Sequence, residues 1–257
     1  MLSSWVLDIL RCPETKQKFV PANKGLERCD DGKFFADQDG ITSLVFPQEL
    51  VGDDEKMNRR YEWLAPYYDA SERILGRLLT GVDMQQGRRK IVDLLDLRGG
   101  TRLLEVSPGP GVFQPLLRKA LGPDAQIAAI DLSLNMLRQC RKQHAPEHVE
   151  LIRANAQHLP FADESFDALF HFGGVNLFNA PDQAISEFVR VVRKGGLVAW
   201  GDEQMDESFA HPIGRRVLPR INPGFKKIPP PLPASVTRAT KHVVYGGLGY
   251  LVVGTKA

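Results

Sequence analysis

Thr101-Arg102-Leu103-Leu104-Glu105-Val106-Ser107-Pro108-Gly109-Pro110-Gly111-Val112-Phe113-Gln114-Pro115-Leu116-Leu117-Arg118-Lys119-Ala120-Leu121 is the stretch that decides the fold. It begins as an apolar β-run (Leu103, Leu104, Val106) and breaks at Ser107-Pro108-Gly109-Pro110-Gly111. It resumes with Phe113, Leu116, Leu117 and Leu121 at the i, i+3, i+4, i+8 spacing of a helix face. Strand, glycine-rich turn, helix is the opening unit of a nucleotide-binding α/β domain. Glycines let the backbone approach a ligand, and the helix N-terminus presents unpaired N–H groups to it. A dinucleotide fingerprint starting at Gly109 and Gly111 needs glycine where Gln114 stands, and no G-x-x-x-x-G-K-[ST] phosphate loop occurs.

Working outward, the chain alternates strand and helix, which predicts a parallel sheet. Asp131 closes the apolar strand Ala125–Asp131, where an acid is placed to accept hydrogen bonds from both ribose hydroxyls of an adenosine. Ser133 is a plausible N-cap for a helix over Leu134–Gln143, with Leu137 and Cys140 facing inward. The strand Val149–Arg153 runs into Ala154-Asn155-Ala156-Gln157-His158-Leu159-Pro160-Phe161. Pro181 opens a helix over Asp182–Val192, Gly195-Gly196 ends it, and Leu197–Trp200 is the next strand. A hairpin of Ala239–Tyr245 and Tyr250–Val253 closes the chain.

These segments together resemble the motifs of class I S-adenosylmethionine-dependent methyltransferases. Glu105, Ser107, Gly109 and Gly111 match motif I, D/E-x-G-x-G-x-G, with Ser107, another small residue, in place of the first glycine. Ala154 to Phe161 resembles D-A-x-x-L-P-F, with Asn155 in place of the acid; asparagine keeps an acceptor oxygen for the adenine amino group. Ser165-Phe166-Asp167 and Val191-Val192-Arg193-Lys194-Gly195-Gly196-Leu197 resemble the S-F-D strand and the L-K-P-G-G turn. The resemblance covers roughly residues 55–205. It implies an α/β fold: a Rossmann-like seven-stranded sheet with helices on both faces and antiparallel final strands. It also implies S-adenosylmethionine as cofactor, with S-adenosylhomocysteine as product. The cofactor-binding residues it implies are Glu105, Ser107, Gly109, Gly111, Asp131, Leu132, Met136, Asn155, Ala156, Gln157 and Phe172. Tyr61 to Asp69 resembles the F/Y-D-x-x-A-x-x-Y-D segment of menaquinone and ubiquinone C-methyltransferases, a lid that brings Tyr68 toward the methionine moiety.

The expected organisation is residues 1–50, a lid or cap over 51–99, and the methyltransferase domain over 100–257, with a substrate-facing insertion at about 204–239. Residues 1–50 have the outline of a small zinc ribbon and resemble ribbons fused to some methyltransferases, among them ribosomal-RNA guanine methyltransferases. Cys12 and Cys29 begin the two knuckles, but Thr15 and Gly32 stand where each second ligand belongs. Two thiolates do not make a four-coordinate zinc site, so no metal is expected.

Methyl transfer from a sulfonium needs alignment and exclusion of water more than a universal catalytic group. A base is required only if the acceptor must lose a proton, and His171 is the candidate, with Asn176, Asp202 and Glu203 nearby. In the insertion, Arg215, Arg216, Arg220, Lys226 and Lys227 lie among apolar residues, followed by the stiff Pro229-Pro230-Pro231-Leu232-Pro233 strap. That predicts a small apolar acceptor, quinone- or phenol-like, held with or without an anionic group. An RNA base methyltransferase and a catalytically idle cofactor-binding partner subunit are the other readings.

Bulk properties are those expected of an ordinary soluble globular protein. The 257 residues are 43% hydrophobic and 25% charged. A net charge of +2 lacks the imbalance of a nucleic-acid backbone binder. No stretch reaches the length of a membrane span, and the N-terminus lacks a basic flank before a signal-length apolar run. Three scattered cysteines make no disulfide framework, so a cytoplasmic protein is expected.

Overall fold

The strands with continuous apolar runs occupy the middle of the sheet, where both faces are covered. In chain order they are β1 (Phe19–Ala22), β2 (Gly25–Arg28), β3 (Phe34–Gln38), β4 (Ile41–Ser43), β5 (Arg102–Val106), β6 (Gln126–Asp131), β7 (Val149–Arg153), β8 (Phe166–Phe172), β9 (Val192–Glu203), β10 (Val236–Val244) and β11 (Gly249–Lys256). The helices are α1 (Ser4–Ile9), α2 (Gly52–Leu64), α3 (Met84–Leu94), α4 (Gln114–Leu121), α5 (Leu134–Gln143), α6 (Pro181–Val191) and α7 (Pro212–Ile221). This computed structural model describes residues 2–65, 80–143 and 149–257, so the lid position expected for Tyr68 lies outside the described residues.

The sheet order is β1-β2-β3-β4-β7-β6-β5-β8-β9-β11-β10. Strands β7, β6, β5, β8 and β9 are parallel; β11 runs antiparallel to β9, and β10 antiparallel to β11. Those are the seven strands expected. Among the described residues the sheet nevertheless has 11, because the N-terminal meander β1–β4 joins its edge: Thr42 pairs with Ile152 and Ser43 with Arg153 in parallel. An exposed β7 edge would leave a row of unpaired backbone groups, and β4 satisfies them.

Helices α3 and α4 cover one face, packing Ile91, Leu95, Leu117 and Leu121 against Leu103, Ile127 and Phe170. Helix α5 continues that layer with Leu137 and Cys140 against Ala129. On the other face, α6 buries Ile185 and Phe188 against Leu169 and Trp200. The β7–β8 connection, residues 154–165, contains no helix, and α1 lies against it instead. Arg11 N donates to Pro160 O (2.9 Å) and Ala162 N to Ile9 O (2.8 Å), while Val6 and Leu10 are wholly buried. Leu10→Ala would cost about 2–5 kcal/mol on ordinary core energetics.

Most local signals hold, but α6 stops at Val191 and Gly195-Gly196 lie inside β9 instead of ending the helix. Helix α5 spans the expected residues, and Ser133 Oγ accepts from Met136 N at 3.2 Å. Within the insertion, α7 and a 3-10 turn over Pro223–Lys226 precede the proline strap.

Candidate functional site

The C-terminal ends of β5, β6, β7 and β8 meet at a cavity of about 300 Å³, at the low end of the roughly 300–1,000 Å³ usual for ligand pockets. After β5 the chain turns at Ser107, whose N–H donates to Ile130 O at 2.7 Å and whose φ is +56°. That left-handed backbone is why a glycine suits the position, so serine there carries a backbone cost. Gly109 also has φ +56°, and a Cβ there would have no heavy atom within 4 Å. The loop therefore leaves open space above its backbone. Gly109 N–H donates to Asp131 Oδ2 (3.1 Å), and Ser133 N–H to Asp131 Oδ1 (2.9 Å).

Burial pushes the Asp131 carboxyl up to about 6; the Ser133 and Gly109 N–H groups pull against that, and Glu62 adds to it. Glu105 is 1% exposed and does not reach the cavity wall. It pairs with the Gln114 amide on α4, and burial pushes its carboxyl up to about 8 against that hydrogen bond. At neutral pH it is a protonated acid behind the loop.

Of the residues expected to hold the cofactor, Ser107, Gly109, Asp131, Leu132, Met136, Asn155, Ala156 and Phe172 line the cavity. Glu105, Gly111 and Gln157 stand behind that wall. His171 does too. It is completely buried, its Nδ1 3.0 Å from Val106 O, with the Phe178 and Phe188 rings each 5.5 Å away. Donation to that carbonyl fixes the proton on Nδ1, and burial depresses the imidazole pKa, with Asp202 opposing. Phe178, which does line the cavity, covers it, so His171 is not placed to take a proton from an acceptor. Asp202 is structural in geometry: it accepts from Gly174 N (2.8 Å), Asn176 N (2.6 Å) and Glu203 N (2.8 Å), shaping the loop beyond β8. Arg215 turns back onto its own loop at Phe209 O (2.5 Å), and neither it nor Arg216 lines the cavity.

A helix over the cavity falls within the lid or cap expected over 51–99, but its individual contacts were not read from the sequence. Helix α2 closes the mouth with Asp54, Met57, Asn58 and Tyr61 on the wall. At its far end Glu62 Oε1 accepts from Ser133 Oγ (2.9 Å) and Asn135 N (3.3 Å), while Asn135 Nδ2 donates to Glu62 O (3.1 Å). At its near end Asp54 accepts from Gln157 Nε2 (2.5 Å) and Asn179 N (3.1 Å). Beyond the polar end the cavity turns apolar: Met84, Phe172, Leu218, Phe225, Tyr245 and Leu248, with Arg88 and Glu203 among them. An acid at the third residue of a helix carries no local signal that it will reach another strand's loop.

A strand-end glycine turn, an acid closing the next strand and an adenine-side loop, all on one cavity in a β7-β6-β5-β8-β9-β11-β10 core, have the arrangement of a class I S-adenosylmethionine-dependent methyltransferase domain. Residues 104–200 match the family Methyltransf_11, described as a methyltransferase domain. The chain is 32% identical over 151 residues to the demethylmenaquinone methyltransferase of Listeria welshimeri, covering 57% of this chain and 61% of that protein. It is 33% identical over 147 residues to the Staphylococcus aureus enzyme of the same name, covering 56% and 58%. The chain thus matches about six-tenths of the length of these curated relatives. A crystal structure of an S-adenosylmethionine-dependent methyltransferase from Aquifex aeolicus superposes with a TM-score of 0.52 and 20% identity, covering 78% of this chain and 98% of that one. Among the described residues no helix is long and apolar enough to cross a membrane.

Proposed function

We propose that the protein transfers the methyl group of S-adenosylmethionine to a small, largely apolar, ring-bearing acceptor of the quinol or phenol type. One observation carries this reading: a single cavity joins a polar end built by Gly109, Asp131 and Asn155 to an apolar end built by Met84, Phe172, Leu218, Phe225 and Tyr245. The open space over Gly109 and the carboxylate of Asp131 fit an adenosine-bearing cofactor. When bound, that cofactor supplies an electrophilic sulfonium methyl.

The chain's own residues do the rest. Asp131 accepts hydrogen bonds from ribose hydroxyls, Gly109 admits the cofactor close to the backbone, and Leu132 and Met136 flank the base. Helix α2, tied down at Asp54 and Glu62, keeps water out of the cavity, and the apolar end holds the acceptor in line with the methyl group. Arg88, 4% exposed, also lies on that wall. With an ionised acceptor no protein base is needed, in keeping with His171 lying behind Phe178. The name of the curated relatives agrees with a quinone-derived acceptor.

Calorimetric titration with S-adenosylhomocysteine, beside Asp131→Ala, tests the cofactor half; micromolar binding lost in the variant is expected. A labelled-methyl assay over naphthoquinols, phenols and a structured RNA tests the acceptor half. Failure to bind the cofactor product, or label found only in RNA, overturns the reading.

A further inference from the structure

We propose that Asp54, delivered by α2, is the residue that recognises the amino group of the adenine, a task the sequence would give to position 155. The inference rests on the cofactor reading above and assigns its base specificity. Asn155 has no acceptor capacity left to offer. Its Oδ1 takes Gln157 N (3.0 Å) and Gln157 Nε2 (3.2 Å), and its Nδ2 faces Asp54 Oδ2 at 3.5 Å. The orientation of that amide is forced, because the Gln157 backbone N–H can only donate and so must face Oδ1. Gln157 is held the same way: Nε2 donates to Asp54 Oδ2 at 2.5 Å, and Oε1 accepts from Ala180 N at 2.8 Å.

An exocyclic amine on a base needs an acceptor. Asp54 lines the cavity with Asn155 and is 8% exposed. Its two oxygens have about four lone-pair sites, and the hydrogen bonds described here, from Gln157, Asn155 and Asn179, use three. The carboxylate missing from the end of β7 is thus supplied from a helix 101 residues earlier in the chain. Recognition of the base and docking of α2 then become one event, since the acceptor is present only when the helix is seated.

The test measures affinities for S-adenosylhomocysteine and for its inosine counterpart, in which a carbonyl oxygen replaces the adenine amino group. The wild-type protein should prefer the amino compound by about tenfold or more, the scale of a hydrogen bond to a charged group. Asp54→Asn should lose that preference, a ratio that a merely structural role for Asp54 would leave intact. Asp54→Asn combined with Asn155→Asp keeps one carboxylate in the pair and should hold the preference, whether or not the single variant folds well. An Asp54→Asn protein that still discriminates, or a double variant that does not, overturns the proposal. If Asp131→Ala abolishes binding while Asp54→Asn discriminates normally, the cofactor reading stands and this inference falls. A wild-type protein that binds neither compound sinks both.

Discussion

Arg28 places its Nη1 3.4 Å from Cys12 Sγ, between the two turns that open with Cys12 and Cys29. The same guanidinium pairs with Glu14 at 3.4 Å, Asp30 at 2.7 Å and Asp31 at 2.5 Å. On the proposed ribbon reading, a side-chain cation bridges the knuckles that a metal would otherwise join. Burial alone would raise the Cys12 thiol pKa, but hydrogen bonds, led by the one from Arg28, bring it below its ordinary value. Cys29 is exposed, and among the described residues no group of three or more His, Cys, Asp or Glu is arranged to hold a metal. Arg28→Met should therefore lower the melting temperature, because it strands Glu14, Asp30 and Asp31 around an apolar side chain. A chelator should leave the wild-type melting curve unmoved; a chelator-induced drop would restore a metal to this segment.

Glu105 makes stability depend on pH. Its folded pKa of about 8 exceeds the ordinary 4.5 of a glutamate, so the native state holds a proton that the unfolded chain releases between those values. The stability from this group is complete below pH 4.5 and is lost as pH rises through 8. Glu105→Gln should flatten the fall and stabilise the protein by roughly 1–3 kcal/mol at the alkaline end, with little change near pH 5. Urea unfolding across this range decides it; parallel pH profiles for the two proteins would be the contrary result.

Asp131 should give cofactor binding an acid limb. With a pKa of about 6, it is ionised at neutral pH and ready to accept from ribose hydroxyls. Below that value its protonated form loses this acceptor capacity, so affinity for S-adenosylhomocysteine should fall by up to about tenfold per pH unit. Calorimetry in buffers of different ionisation enthalpy should also detect a proton released on binding near pH 6. A flat profile from pH 5 to 8 would exclude the assignment.

Ser107 tests the strain in the loop. At φ +56° a serine bears a left-handed cost that glycine does not. Ser107→Gly should stabilise by about 0.5 kcal/mol, the relief being partly offset by glycine's greater freedom when unfolded. Ser107→Val, β-branched in the same backbone, should destabilise by about 2 kcal/mol. Denaturant midpoints for the three proteins give the ranking, and a reversed order would place the cost elsewhere.

Much of the site was legible because it is periodic and local. Gly109, Asp131, Asn155 and Phe172 lie at or just beyond the ends of β5, β6, β7 and β8, so counting parallel strands brings them to one side of the sheet. Glu105, Gly111, Gln157 and His171 lie off the cavity wall, and for three of them the neighbours show why. Glu105 precedes the turn and points into the core toward Gln114. Gln157 is drawn away by Asp54, and His171 is hidden by Phe178. Which way a strand-end side chain faces depends on what packs above it, and the neighbours that settled these cases come from other elements.

The amino-acid sequence by itself determined the wound β/α core and the strand-end motifs, because burial on both faces writes apolar runs and helical periods directly into adjacent residues. Tertiary structure alone decided the rest. It put α1 where the β7–β8 connection has no helix, joined β4 to the β7 edge, and seated α2 over the cavity through Asp54 and Glu62. Those contacts link polar or edge groups far apart in the chain. Their energy comes from desolvated hydrogen bonds formed on docking, and no local pattern records which partner a carboxylate will meet.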